Sequence, residues 1–349
     1  MRSLELRKLE DVTVFFRCLA RFRASRCLAA LFVSVDYYLR DSVAEEILSC
    51  IARRKNLTSC LFVGVGAALF YLGVVNSARA EDAVFHEAES KYMFGFVDGA
   101  DIGNEGEKAI EFETTGAFKK RGGRYSAVEQ ELEFEHVPTQ YFAYELSAHA
   151  MAHSISGVEG LDDINQTAFS GASAKLRYLI IGRGPGSPIG LTISAQPEWS
   201  RIDGTDGTQT QDYSTDFRIV ADTELIPNRL YAAFNVSYVP ETAKGAGDPN
   251  WQNSSGLGLS TALAYRITPT VAAGAALEYD RAYDGLAFQA FDGHALYLGP
   301  TLQINFTPKM LLAAAFMAQV AGHAADDPRA LDLTNFSQYR ANLKFEVEF

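Results

Sequence analysis

The stretch AVEQELEFEHV places Glu129, Glu131, Glu133 and Glu135 at every second position. Side chains of an extended strand alternate between two faces, so these carboxylates share one face at intervals of roughly 6.6–6.8 Å. The neighbouring segments add Glu111 and Glu113 on one side and Glu145 on the other. A wall this dense in carboxylate either steers cations or is neutralised by basic partners. Candidate partners are Lys175, Arg177, Arg218, Arg266, Arg340 and Lys344. Two readings follow: a filled interior of salt bridges and hydrogen bonds, or a transverse field lining a pore that favours cations and oriented polar solutes.

Other chemistry is weaker. His149 and His153 resemble a metal pair, but four residues of strand separate them by about 13 Å, too far to chelate one ion. No metal site, catalytic residue or cofactor is expected. Ser147 and His149 share a face and suggest a hydrolase, yet a lipid-acting site must open towards a bilayer and this face reads as an interior one. GRGPG at 182–186 imitates a phosphate loop but has Pro185 and no helix after it, so it reads as a turn. The Asp-rich loops read as solvated. Residues 1–80 hold 12 Lys and Arg against 7 Asp and Glu, and the remainder 19 against 36. An acidic remainder excludes nucleic acid as a partner, since phosphate contacts need clustered Lys and Arg.

The elements that would position this wall begin after a boundary. Arg53, Arg54 and Lys55 precede an apolar run from Cys60 to Val75, and Ala78-Arg79-Ala80 is a small-x-small cleavage site. That order is a secretory signal peptide, its apolar run being shorter than the ~20 residues of a spanning helix. Residues 53–80 are therefore read as the signal. Residues 1–52 are read as a gene-start artefact with translation beginning near residue 50, the other reading being a genuine Arg-rich extension. Residues 81–107 do not fit a full strand and read as a periplasmic lead-in, with the barrel mouth as a place for it to fold.

From 108 to 349, alternating segments recur near 108–120, 125–137, 140–154, 169–182, 188–202, 214–226, 229–240, 255–267, 270–283, 294–307, 310–322 and 336–349. Tight, mostly Pro-containing connections such as VPTQ and IPNR alternate with longer polar ones such as ETAKGAGDPNWQNSS; only the first long-side loop, KKRGGR, is short. This predicts an all-β fold: a closed antiparallel transmembrane β-barrel of about 12 strands, short turns and both termini on the periplasmic side. Alternation alone does not say which face is inside. Two signs decide for a membrane barrel. Aromatic residues fall at two levels, Phe118, Trp199, Phe217, Tyr238 and Tyr279 at one rim and Phe142, Tyr178, Tyr265, Phe306 and Phe349 at the other. An export signal also precedes a segment without cysteine. Three residues depart from the pattern: Gln130 falls on the lipid face, and Pro197 and Pro300 lie inside strands, where bulges are expected.

The chain ends on YRANLKFEVEF, with Tyr339, Leu343, Phe345, Val347 and Phe349 on one face. Signal, alternating strands and terminal aromatic together resemble Gram-negative outer-membrane β-barrel proteins. GADIGNEGEKAIEFE is similar to the lead-in of uncharacterised, transporter-like proteobacterial barrels. The resemblance implies location in the cell outer membrane, contact with its lipid and lipopolysaccharide, and recognition of the terminal strand by the outer-membrane assembly machinery. It names no solute. Closure of the barrel should bring Arg340 and Lys344 beside Glu111 and Glu113. The expected function is a porin-like, narrow channel for small polar or cationic solutes, not an enzyme. The other readings are a structural or surface-interaction barrel acting through its outer loops and, third, a lipid-acting hydrolase.

Overall fold

A computed structural model describes residues 90–184 and 187–349. The chain divides into two units, Met1–Arg79 and Ala80–Phe349, and the described residues all belong to the second. The N-terminal extension, the signal segment with Ala78 and Ala80, and residues 81–89 lie outside the described residues.

Twelve strands follow one another: β1 (Lys108–Phe118), β2 (Gly122–Thr139), β3 (Phe142–Val158), β4 (Ile164–Ile181), β5 (Ile189–Ile202), β6 (Gln209–Ile226), β7 (Leu230–Gly245), β8 (Gln252–Thr268), β9 (Val271–Asp284), β10 (Ala290–Thr307), β11 (Met310–Ala324) and β12 (Tyr339–Glu348). Each pairs antiparallel with its neighbour in sequence, and β1 closes on β12 with Phe112 opposite Phe345. All twelve expected segments are strands. Most run further than expected at the long-loop end, as β6 and β7 do. There the outward face turns polar too, so the alternation lapses while the backbone ladder continues.

The faces are inverted relative to a soluble barrel. Phe112, Leu132, Leu146, Leu176, Ile219, Leu263 and Leu343 are exposed on the outside, while Glu111, Glu133, Glu145, Asn235 and Asn342 are buried within. An outside this apolar needs an apolar solvent. Gln130 does point outward, and its amide donates to Thr114 Oγ1 on the facing strand at 2.7 Å, which satisfies it locally.

The bulges expected at the two prolines are not found. Pro197 stands opposite Thr215 and Pro300 opposite Ala275 with the register unbroken, and the nearest offset to Pro300 falls between Leu296 and Tyr297. On its other side each proline loses pairing instead: β4–β5 passes from Ser173–Glu198 to Leu176–Ala195, and β10–β11 from Leu298–Ala318 to Thr301–Ala315. The strand gives up ladder bonds and inserts no residue. The shortest outer connection, residues 119–121, depends on Gly123, whose φ is 45° and where a Cβ would stand 2.1 Å from the Ser156 carbonyl oxygen. At the terminus, the Phe349 amide donates to the Lys108 carbonyl at 2.9 Å while its side chain remains 60% exposed.

Candidate functional site

The interior is built in two tiers. The tier nearer the short turns is filled by residues 90–102, part of the segment read as a lead-in with the barrel mouth as its place to fold, while residues 104–106 are exposed. Met93, Phe94 and Val97 pack against Tyr231, Ala233, Ala264, Ala276, Tyr297 and Met317. Small inward residues on β7 to β10 make the room for this apolar plug. Gly99 permits its closest turn, since a Cβ there would lie 2.2 Å from the Ser90 carbonyl oxygen.

Polar contacts fix the rest of the plug to the opposite wall. Lys91 pairs with Glu135 and, at 3.2 Å, with Glu145. Glu145 also meets Lys175 at 3.3 Å and Arg177 at 3.6 Å. Arg177 donates to the carbonyls of Gly99 and Asp101 at 3.0 and 2.8 Å. Thr192 donates to the Ala100 carbonyl at 2.5 Å, and Asp222 accepts from Ser90 and from the Ala100 amide. Asp98 meets Arg218 at 2.6 Å, and its backbone exchanges two hydrogen bonds with the Asn235 side chain. Carboxylate oxygens of Glu133, Glu135 and Glu145 converge within 4.8 Å of one another, a spacing suited to a cation. The Lys91 ammonium serves there as a fixed one.

The upper tier differs. Glu129 and Glu131 flank His149 at 3.4 and 4.0 Å, and both carboxylates keep some exposure to the lumen. Further round the wall, Glu198 and Glu241 lie in one cross-strand row, each opposite Ser214. Among the described residues, none of these four carboxylates makes an ion pair with Lys or Arg. His149 Nε2 is 3.0 Å from Ser173 Oγ, not Ser147, whose hydroxyl donates to Glu133 at 3.1 Å. Glu129, His149 and Ser173 thus stand in the order of a hydrolytic triad. The neighbouring Gln196 amide, however, donates to Ser173 Oγ itself at 3.2 Å, so it is not aimed at the place of an oxyanion. The line is a polar network.

The remaining named residues are distributed unevenly. Lys344 meets Glu111 at 2.7 Å and Glu113 at 3.0 Å. Arg340 does not join them, contrary to the expectation from closure. It sits opposite Ala117, where β1 offers no acid, and reaches Glu278 and Asp280 on β9 at 2.7 and 2.9 Å. Arg266 donates to the Pro269 carbonyl at the short-turn end. The seven carboxylates are therefore not one open wall. Glu111, Glu113, Glu135 and Glu145 each meet a Lys or Arg in the lower network, where Glu133 accepts from Ser147, and Glu129 and Glu131 belong to the upper tier.

At the long-loop end, the last loop folds inward onto the barrel. Phe336, in the last loop, packs against the plug's apolar cluster, and Tyr297 donates to the Ser337 carbonyl at 2.6 Å. Lys120 donates to the Thr334 carbonyl at 2.6 Å; burial pulls its ammonium down to about 8, with Asp332 and Asp203 opposing. Asp327, bonded by Arg329 and close to Arg121, is held down to about 2.

The family of unknown function DUF6662 matches residues 86–349. The chain belongs to this family. No curated protein is detectably similar in sequence. Among solved structures, the chain is similar to the COG4313 outer membrane channel from Pseudomonas putida F1, at 13% identity and a TM-score of 0.50, with 72% of this chain and 100% of that one covered. The NanC porin is similar at 9% identity and a TM-score of 0.42, covering 69% and 98%. The beta domain of the Bordetella autotransporter BrkA follows at 12% and 0.44, covering 70% and 100%.

Several residues that build the interior of this DUF6662 chain escape sequence reasoning. Lys91, Asp98 and Ser90 carry no strand pattern that would have placed them inside. Asp222 and Asp216 had a usable signal, because both lie at even spacing from Arg218, already assigned inward. The same parity puts Glu198 and Gln196 together on β5.

Proposed function

We propose that this chain is an outer-membrane β-barrel that forms a narrow channel for small polar or cationic solutes, entered through an acidic vestibule on the outer-loop side. One observation carries the reading: the four upper-tier carboxylates Glu129, Glu131, Glu198 and Glu241 line the lumen without a Lys or Arg partner among the described residues, whereas Glu111, Glu113, Glu135 and Glu145 of the lower tier each have one. A lumen with fixed negative charge that no Lys or Arg pairs concentrates cations and repels anions. Twelve strands enclose more than the eight-stranded barrels that side chains fill and less than the open lumen of sixteen. The apolar outside and the shared fold with an outer membrane channel support placement in the outer membrane of a Gram-negative cell, in contact with its lipid. The exposed Phe349 on a bonded terminal strand suits recognition by the outer-membrane assembly machinery.

The occupied lower tier favours a second reading, a structural or surface-interaction barrel acting through its outer loops. Planar-bilayer recording of the folded protein separates them. The channel reading expects discrete conductance steps, larger when residues 90–101 are displaced. A protein that inserts yet passes no current, with or without the plug, would leave the second reading in place.

A further inference from the structure

We infer that the outward face of β9–β11 carries a binding site for the phosphate of an outer-leaflet glycolipid, formed by Arg281, His294 and His323. These residues stand directly opposite one another across three strands, Arg281 beside His294 and His294 beside His323. Directly opposed residues share a face with side chains about 5 Å apart, so the three form one row of basic groups. The row lies outside the barrel, one outward row beyond Tyr279, Leu296 and Ala321 towards the long-loop end.

Its height fits a headgroup. Arg281 stands ten residues along β9 from the short-turn end at Val271, about 33 Å of strand. Tilted by ~40°, that length rises about 25 Å, the height of the apolar band of such barrels.

The row is also uncompensated. Arg218, Arg329, Arg340 and Lys344 each meet a carboxylate. Among the described residues Arg281 has no such partner, and its Nε is shielded from solvent without a hydrogen bond. Rings frame it instead. Its guanidinium is 5.1 Å from the Tyr283 ring and 4.8 Å from that of Phe291, while Tyr279 lies 5.7 Å from His294. Cation–π contacts hold an arginine in place without neutralising it. Its planar fork then remains available for bidentate phosphate binding. The loop at 285–289 extends the apolar frame by laying Phe288 against Tyr283 at 5.0 Å, with Leu286 and Phe288 both exposed. An arginine fork beside two imidazole rings that can hydrogen-bond, framed by aromatic side chains, matches a ligand that joins a phosphate to acyl chains.

The inference rests on the membrane reading above, and its test separates the two. Folded protein in detergent is titrated with bisphosphorylated and with dephosphorylated lipid A, binding being read by native mass spectrometry. The wild type should prefer the phosphorylated lipid at least tenfold, and the combined R281Q, H294Q and H323Q variant should lose that preference while keeping its folded gel mobility. Equal affinities in the wild type, or an unchanged preference in the variant, would overturn the site. Inorganic phosphate should not displace the lipid; displacement at equal molar concentration would make this a soluble-anion site and overturn the lipid assignment. Wild type that inserts into liposomes without phosphate preference defeats this inference alone, whereas failure to insert defeats the membrane reading as well.

Discussion

Removing the Lys91 ammonium would leave Glu135 without its cation and Glu145 with only Lys175 and Arg177. Breaking a buried pair from one side strands the other charge, at a cost of about 3–5 kcal/mol. The K91M protein should therefore unfold at a lower temperature, read as the point where the folded band is lost in unboiled gel samples. K91R should restore most of the loss, and an unchanged midpoint in K91M would show that the plug contact contributes nothing. Lys120 carries a pH prediction. Its folded value of about 8 lies below the ordinary lysine value, so the folded state holds fewer protons between those limits. Stability should rise as pH climbs through 8 towards 10, by at most roughly 3 kcal/mol. K120M should lack that rise; parallel curves would contradict it. At this scale sequence reading succeeded where period two applied, as with the alternate glutamates of β2. It failed for Lys91, because a residue in an irregular segment has no parity.

The strands were legible because alternation, turn chemistry and connection length agreed, down to the pairing of the last strand with the first. That pairing placed Lys344 correctly. It misplaced Arg340 because two residues on one strand face stand at different heights, and only one of those heights meets an acid on β1. The plug was not legible. Its contacts with the wall are all long-range, and YMFGFVDGAD looks like loop until the alanines of β7 to β10 are known to leave a gap. Gly99 offers a test of the element. G99V forces a side chain onto the Ser90 carbonyl and should loosen residues 90–101. With the four native cysteines replaced by serine, a single cysteine at Ala100, which is 1% exposed, should resist a water-soluble maleimide. In the G99V background it should react several-fold faster. Equal rates would mean that the plug does not depend on this turn.

The molecule as a whole is an acidic barrel with its polar residues inside, its apolar residues outside and its lower tier filled. Composition announced the acidity and alternation the barrel. Neither could show that the acidic charge is mostly paired below and not above, since that depends on the heights at which Lys91, Lys175, Arg177 and Lys344 stand along the barrel. Cation selectivity, if the proposed channel carries it, belongs to the upper tier. The direct measurement is the reversal potential of the reconstituted protein across a tenfold potassium chloride gradient. The wild type should shift towards the potassium potential, and the combined E129Q, E131Q, E198Q and E241Q variant should move to near zero while E111Q does not. A wild-type reversal on the chloride side, or cation preference unchanged in the fourfold variant, would contradict the acidic vestibule.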